Sequence, residues 1–484
     1  MSTTSKPTLA LVSNYGDESC GVAAYTRARE KSFSDFFQVT VFDLKSSTLM
    51  RAPGHQLAAD KWIEVTCSEL PKFDLVVLDS EFGLWGTTLE QSERRILKCC
   101  RAARRLVLVV DRVDVDKTKD VVFARAQVKI LQDVARRPTD RPYHLLTHGH
   151  EEITILRSIH GFREVSSHPI AVVTASERAA LAANTKASEW KRSLDFDDGA
   201  VVFGLFGTLS RYKDVKTVIR ALGYLPDHYK LVFVGGAHPF LVRPFLPDEN
   251  ITDILETITE VSIAHPGIEE RIRFAGVLSD QHFREAMQHC DYVVLPYHDA
   301  GQFTSGVASN AFEMGKRMVG TRTKMFHNYR KTYGDCFETY DVGNYLELRD
   351  RLKFFDLEKA QRMETAKDLY TPKSLAAHVH QIALDLKRDD FRNDCDMEKI
   401  DELAHSLETA AVPSSAEEGI SQDPAHLQRA FIEAIQAQEQ LKAEKQVIQE
   451  ELARTRQERD RLALLHQLLK PIKSLWNILS GSRK

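Results

Sequence analysis

The sequence predicts an α/β protein of two doubly wound, parallel-sheet domains facing a cleft, followed by a helical coiled-coil tail. Three observations carry that expectation. Apolar runs of strand length alternate with longer amphipathic stretches from residue 8 to about residue 385. The strand-like runs lack polar alternation, as in sheets covered on both faces. The alternation also restarts after a polar stretch, "NTKASEWKRSLDFDDGA" at 184–200.

In the first series the strand candidates are "TLALVSN", "FQVTVFDL", "FDLVVLDS" and "RLVLVVD". In the second they are "VVFGLFG", "KLVFVGG", "RIRFAG", "DYVVLP" and "KRMVGT". Stretches such as "DVKTVIRALGYL" and "SDQHFREAMQHC" repeat apolar residues at helical spacing. The expected domains are 1–190 and 199–372, with 373–388 as a closing helix. Two such domains place the default ligand site in the cleft between them.

Residues 389–424 are polar, lack strand signals and read as a linker with one short helix. Asp423–Pro424 forms a helix start. Over 425–469, Leu427, Phe431, Ala434, Leu441, Ile448, Leu452, Leu462 and Leu469 fit a 4-3 register, interrupted by polar residues such as Gln438 and Lys445. That is an imperfect coiled coil, for a homo-oligomer or a partner protein. In the final stretch, 470–484, Ile472, Leu475, Trp476 and Leu479 continue the apolar face of Leu465, Leu468 and Leu469, while Lys470, Lys473, Arg483 and Lys484 add cations. This basic amphipathic tail fits a membrane interface; packing within a helical oligomer is the other reading.

Composition bounds function. The 484 residues are 43% hydrophobic and 28% charged, with a formal net charge of −4. No global field draws nucleic acid. Seven cysteines without a CxxC pair suit a reducing cytosol. "PTLALVSNYG" lacks the long apolar region of a secretion signal, and no run approaches 18 apolar residues. The expected location is cytoplasmic, with peripheral contact at the inner face of the cell membrane.

"GLFGTLSRYKDVKTVIRAL" (204–222) reads as strand, loop and helix. A loop there sits at the carboxyl edge of the sheet beside a helix N-terminus, where an anion is favoured. Thr208 and Ser210 add hydroxyls, and Arg211 and Lys213 add charge, a combination suited to a diphosphate. "LVFVGG" ends in two glycines that allow close approach. "FTSGVASNAFEMGKRMVGT" (303–321) is a turn, a helix and a strand, with Glu313 its only acid. At about 1.5 Å per residue, Ser305 and Glu313 lie roughly 12 Å apart along the axis.

In this order, "FGTLSRYKDVKTVIRAL", "LVFVGG", "RIRFAGVLSDQHFREAMQHCDYVVLPY" and "SGVASNAFEMGKRMVGT" resemble the donor-nucleotide domain of GT-B glycosyltransferases, glycosyltransferase family 4 in particular. More loosely, "CGVAAYT" resembles that family's glycine-containing loop after the first strand. "DSEFGLWG" resembles a second cleft loop, and "VSSHPIAV" the end of the acceptor domain. The resemblance covers residues 8–388 and implies GT-B architecture, two Rossmann-like domains facing a cleft.

It also implies a reaction: transfer of a sugar from a nucleotide-sugar to a glycan or lipid-linked acceptor, with retention and without a metal or other cofactor. A bacterial cell-surface polysaccharide is a fitting setting. By the same resemblance Lys213 lies beside the donor diphosphate, Glu313 binds the ribose, and the Val277 backbone meets the base. Thr208, Arg211, Ser305 and Gly306 complete the donor side. Gly21 and Glu81 belong to acceptor-side loops.

Three positions depart from the family's pattern. Thr208 replaces an arginine, with Arg211 as its candidate substitute. Ser305 stands where the first glutamate of a pair is usual. Val113 falls where a histidine is expected, which leaves Asp111, Asp114 and Glu81 as catalytic candidates. These departures keep a second reading open: a catalytically silent GT-B module that recruits partners through its coiled coil.

"DVD" at 114–116 has the spacing of a metal-binding pair. The same spacing recurs at Asp195–Asp197 and Asp394–Asp396, so no metal site is assigned. His148, His150 and His168 are read as structural or capping residues.

Overall fold

The computed structural model describes residues 5–17, 20–52, 54–113, 121–184, 186–210, 212–236, 249–298, 303–388 and 390–409. The expected coiled coil and basic tail, and Asp114 and Arg211, lie outside the described residues.

Two six-stranded sheets, parallel throughout, form the body. The first contains β1 (Thr8–Ser13), β2 (Gln38–Asp43), β3 (Leu75–Asp79), β4 (Leu106–Val110), β5 (Tyr143–Thr147) and β6 (Val165–Ser167), in the order β2-β1-β3-β4-β5-β6. The second contains β7 (Val201–Phe206), β8 (Tyr229–Val234), β9 (Ile272–Gly276), β10 (Tyr292–Leu295), β11 (Arg317–Thr321) and β12 (Glu338–Tyr340), in the order β12-β11-β10-β7-β8-β9. In each, the first strand lies inside the sheet and the order reverses beside it. That reversal creates the crevice at the carboxyl edge where such sheets take ligands.

Strand sequence explains the two covered faces. Ala10 and Val12 of β1 enter one core with Val76, Leu78, Leu106 and Leu108. Leu9 and Leu11 enter the opposite core with Leu75, Val77, Val107 and Val109. Period-two alternation therefore sends apolar side chains to both sides, and the run reads as continuously apolar.

The Pro372–Asp385 helix packs Leu375, Ala376 and Val379 into that second core of the first domain, although its residues follow the second domain in the chain. Thr371 and Ser374 form its capping box, and Pro372 occupies its first turn.

The chain first passes from the first domain to the second at one peptide. Val172 belongs to the first domain's core and Val173 to the second's. Leu181, Trp190 and Phe196 follow Val173. The passage thus precedes the boundary expected at 190, because the polar stretch 184–200 carries enough apolar residues to dock on the second domain.

The region expected as a linker also differs. Among the described residues its helix, Met397–Glu408, places Ile400, Leu403 and Leu407 in the first domain's core. Their three- and four-residue spacing gives one apolar stripe on an otherwise polar helix. Asp401 fixes that helix to its neighbour by accepting from Gln132 and Arg136, both at 2.7 Å.

Candidate functional site

A cavity of about 360 Å3 lies where the carboxyl edges of the two sheets meet. The loops after β7, β8 and β9 form one wall and are tied together: Gly207 N–H donates to Val234 O, and Gly235 N–H to Gly276 O, each at 2.8 Å. The backbone of Gly207 has φ 83°, and a Cβ there would lie 2.9 Å from Lys213 Nζ. Glycine is what lets the lysine pass.

Lys213 is only 6% exposed, and its Nζ donates to Phe206 O at 2.8 Å. Burial pushes its ammonium down to about 7. Its position is set from both sides. Lys213 N–H bonds Ser210 O at 2.8 Å, and Asp214 caps the following helix through Thr217 N–H. An ammonium held out of water beside a cavity is suited to a ligand that brings negative charge.

The N-terminus of the Gly306–Glu313 helix forms a second wall. Ser305 caps it by accepting from Ala308 N–H, and Ser309 N–H reaches Ser305 O at 2.9 Å. That leaves the first two amides of the helix, those of Gly306 and Val307, without an acceptor among the described residues. Tyr329 braces the turn, its hydroxyl receiving Ser305 N–H at 2.8 Å and donating to Ser305 O at 3.1 Å. A Cβ on Gly306 would meet nothing within 4 Å, so the first turn opens onto free space.

Of the sequence-predicted residues, Gly21, Thr208, Lys213, Val277, Ser305 and Gly306 all line this one cavity. Two walled sheets meeting edge to edge over such a cavity define an architecture.

The chain has the GT-B fold. It superposes on Anabaena HepE crystallised with UDP at a TM-score of 0.53 and 15% identity, over 83% of this chain and 99% of that one. Sucrose-phosphate synthase from Thermosynechococcus elongatus gives 0.57 at 13% identity, over 79% and 99%. WaaG, a glycosyltransferase involved in lipopolysaccharide biosynthesis, gives 0.55 at 13%, over 78% and 99%. No protein-family model and no curated protein sequence matches the chain.

Within this GT-B frame Glu313 is placed differently from a ligand contact. Its side chain is 2% exposed and does not line the cavity. Its oxygens accept the N–H groups of Val172 at 2.8 Å and Val173 at 3.1 Å. Burial pushes the carboxyl up to about 8, against the pull of those two amides and of Arg178 and Arg284. The acid expected on the ribose is thus spent on the crossover between domains. At the rim, Arg27 of the first domain pairs with Asp280 of the second at 2.5 Å.

Glu81 and Asp111 lie at the carboxyl ends of β3 and β4, apart from the residues that line the cavity. They sense each other: burial, then the Asp111 charge, push Glu81 up to about 6. Asp111 Oδ1 faces His148 Nε2 at 3.2 Å, and His148 Nδ1 meets His168 O at 3.0 Å. Two acceptors around one imidazole favour its charged form. Although burial opposes this, the Asp111 bond and charge lift His148 above its ordinary range.

Sequence reading left His148 without a role. The missed signal is its position directly after β5, at the same sheet edge as Asp111 after β4. Asp280 and Arg284 also line the cavity, and sequence reading assigned neither to it.

Proposed function

We propose that this protein is a glycosyltransferase that moves a sugar from a nucleotide-sugar to a glycan or lipid-linked acceptor. The observation that carries the reading is the cavity joining buried Lys213 to the Gly306 and Val307 amides, which have no acceptor among the described residues. HepE, which shares the fold, has been crystallised with UDP and with UDP-glucose. A diphosphate seated there would meet the ammonium, the Gly306 and Val307 amides and the Ser305 and Thr208 hydroxyls. As the sugar–phosphate bond breaks, charge grows on the departing diphosphate, and donors fixed in advance stabilise it. Val277, two-thirds exposed at the end of β9, offers its backbone to the base.

The same reading extends to glycosyltransferase family 4, retention of configuration and independence from metals. Lys213 and the helix N-terminus supply positive charge of the kind a metal would otherwise provide. The expected coiled coil and basic tail support work at a membrane surface on a polysaccharide precursor. Among the described residues no helix is long and apolar enough to cross a membrane.

The test is turnover of radiolabelled UDP- and GDP-sugars by the full chain, with and without a chelator. Sugar transfer or donor hydrolysis that survives chelation is expected. One observation favours the silent-module reading: Glu81 and Asp111 do not line the donor cavity. Tight donor binding without turnover of any donor would establish that alternative.

A further inference from the structure

Arg284 is a cation in the cavity wall with its natural partner taken. It lies on the Asp280–His289 helix, whose residues Asp280, Phe283 and Arg284 share one face and line the cavity together. Asp280 stands four residues before Arg284, the spacing at which an acid and a base pair along a helix. That acid is instead bound across the domain gap to Arg27, at 2.5 Å. Among the described residues no carboxylate comes within ion-pair distance of Arg284, and no hydrogen bond holds it. Its charge is felt by Glu313 and Glu177, both engaged with main-chain amides elsewhere.

A guanidinium stays charged throughout the ordinary pH range, whereas buried Lys213 is easily neutralised. A nucleotide-sugar carries two negative charges on its diphosphate. Among the described residues, Lys213 and Arg284 are the cations that line this cavity; Arg211 lies outside them.

We infer that Arg284 is a cation for the donor's diphosphate alongside Lys213, and that its pairing with Asp280 is prevented by Arg27 so that it remains available. The inference rests on the donor-site reading above.

The test is calorimetric titration of the full-length protein and of Arg284→Gln and Arg284→Lys with UDP, GDP, inorganic pyrophosphate, uridine and guanosine. Arg284→Gln is expected to weaken the diphosphate that binds by tenfold or more and pyrophosphate in proportion, with nucleoside affinity unchanged. Arg284→Lys is expected to recover part of the loss. Unfolding temperatures matching the parent would show that the variants fold. Equal losses for nucleoside and diphosphate would overturn the inference, because Arg284 would then read the base or ribose. Unchanged diphosphate affinity in Arg284→Gln would also overturn it. Arg284-dependent binding of pyrophosphate without binding of either nucleotide would support the cation role while removing the donor-site reading. Binding of none of the five would remove both.

Discussion

Glu313 Oε1 accepts the main-chain N–H of Val172 at 2.8 Å, and its other oxygen takes the next amide, that of Val173. These two amides mark the point where the chain leaves one domain core for the other. A second-domain carboxyl therefore fixes the first domain's exit, and Val172 itself lines the cavity. Glu313→Gln keeps the shape but presents an NH2 to one of the two donors. Leaving a buried N–H without an acceptor costs about 1–3 kcal/mol, so a loss of that order is expected in chemical denaturation.

The same residue gives a pH dependence. Its folded-state value, about 8, lies above the ordinary carboxyl value. The folded state therefore favours the proton, and the associated stability is present at low pH and lost as pH rises from about 4.5 through 8. Glu152, also pushed up to about 8 by burial, acts in the same direction. Thermal unfolding from pH 5 to 8 should fall less steeply in Glu313→Gln than in the parent.

Lys213 reverses the sign. Its ammonium is pushed down to about 7, so without a ligand the folded state favours the neutral amine. Stability from this group is lost as pH falls through 7. A diphosphate stabilises the charged form, so binding at pH 8 should take up nearly one proton. Titrations in buffers of differing ionisation enthalpy should show that uptake, and Lys213→Met should abolish it while weakening binding.

Much of this was readable because physical constraint is local. Nine strands are visible as apolar runs, since both faces of each sheet are covered. The other three were not: His144 interrupts β5, while β6 and β12 are three residues each. The cavity wall after β7 and β8 was legible because its loops carry glycines, hydroxyls and a lysine in a fixed order. Arg284 was not, because an acid and a base four residues apart on a helix read as a solvated face. Only Arg27, far away in the sequence, breaks that pair. Glu313 likewise resembles a ligand contact until the fold brings Val172, distant in sequence, against it.

Arg27 and Asp280 bridge the domains with side chains 29% and 30% exposed. Such a pair contributes about 0.2–1 kcal/mol, so Arg27→Ala should barely move the unfolding temperature. Its effect should appear in the relative placement of the domains and in the freed Asp280, which can then turn to Arg284. Small-angle scattering is expected to show a larger radius of gyration for the variant, and diphosphate affinity should fall several-fold.

Asp111 raises His148 above its ordinary imidazole range at the sheet edge, against the opposing effect of burial. Asp111→Asn removes that charge and should lower the His148 titration midpoint, measurable by NMR of the imidazole. Because neither residue lines the cavity that holds Lys213, diphosphate affinity should not change. Donor turnover should drop if the pair serves the acceptor side, and unchanged turnover would assign it to structure alone.

The Met397–Glu408 helix offers the clearest stability test. Ile400 and Leu407 are fully buried against the first domain, and Arg125 Nε donates to Leu407 O at 2.7 Å. Truncating a buried Ile or Leu to Ala costs about 2–5 kcal/mol, because apolar contact is lost and a cavity is left. Ile400→Ala should therefore destabilise the protein by that order. Glu398→Ala, an exposed change on the same helix, should alter stability by less than about 0.5 kcal/mol. If Ile400→Ala were as mild as Glu398→Ala, the helix would not belong to the first domain's core. A large loss would show that the first domain depends on residues that come after the whole of the second domain in the chain, so residues 1–190 expressed alone should not fold stably.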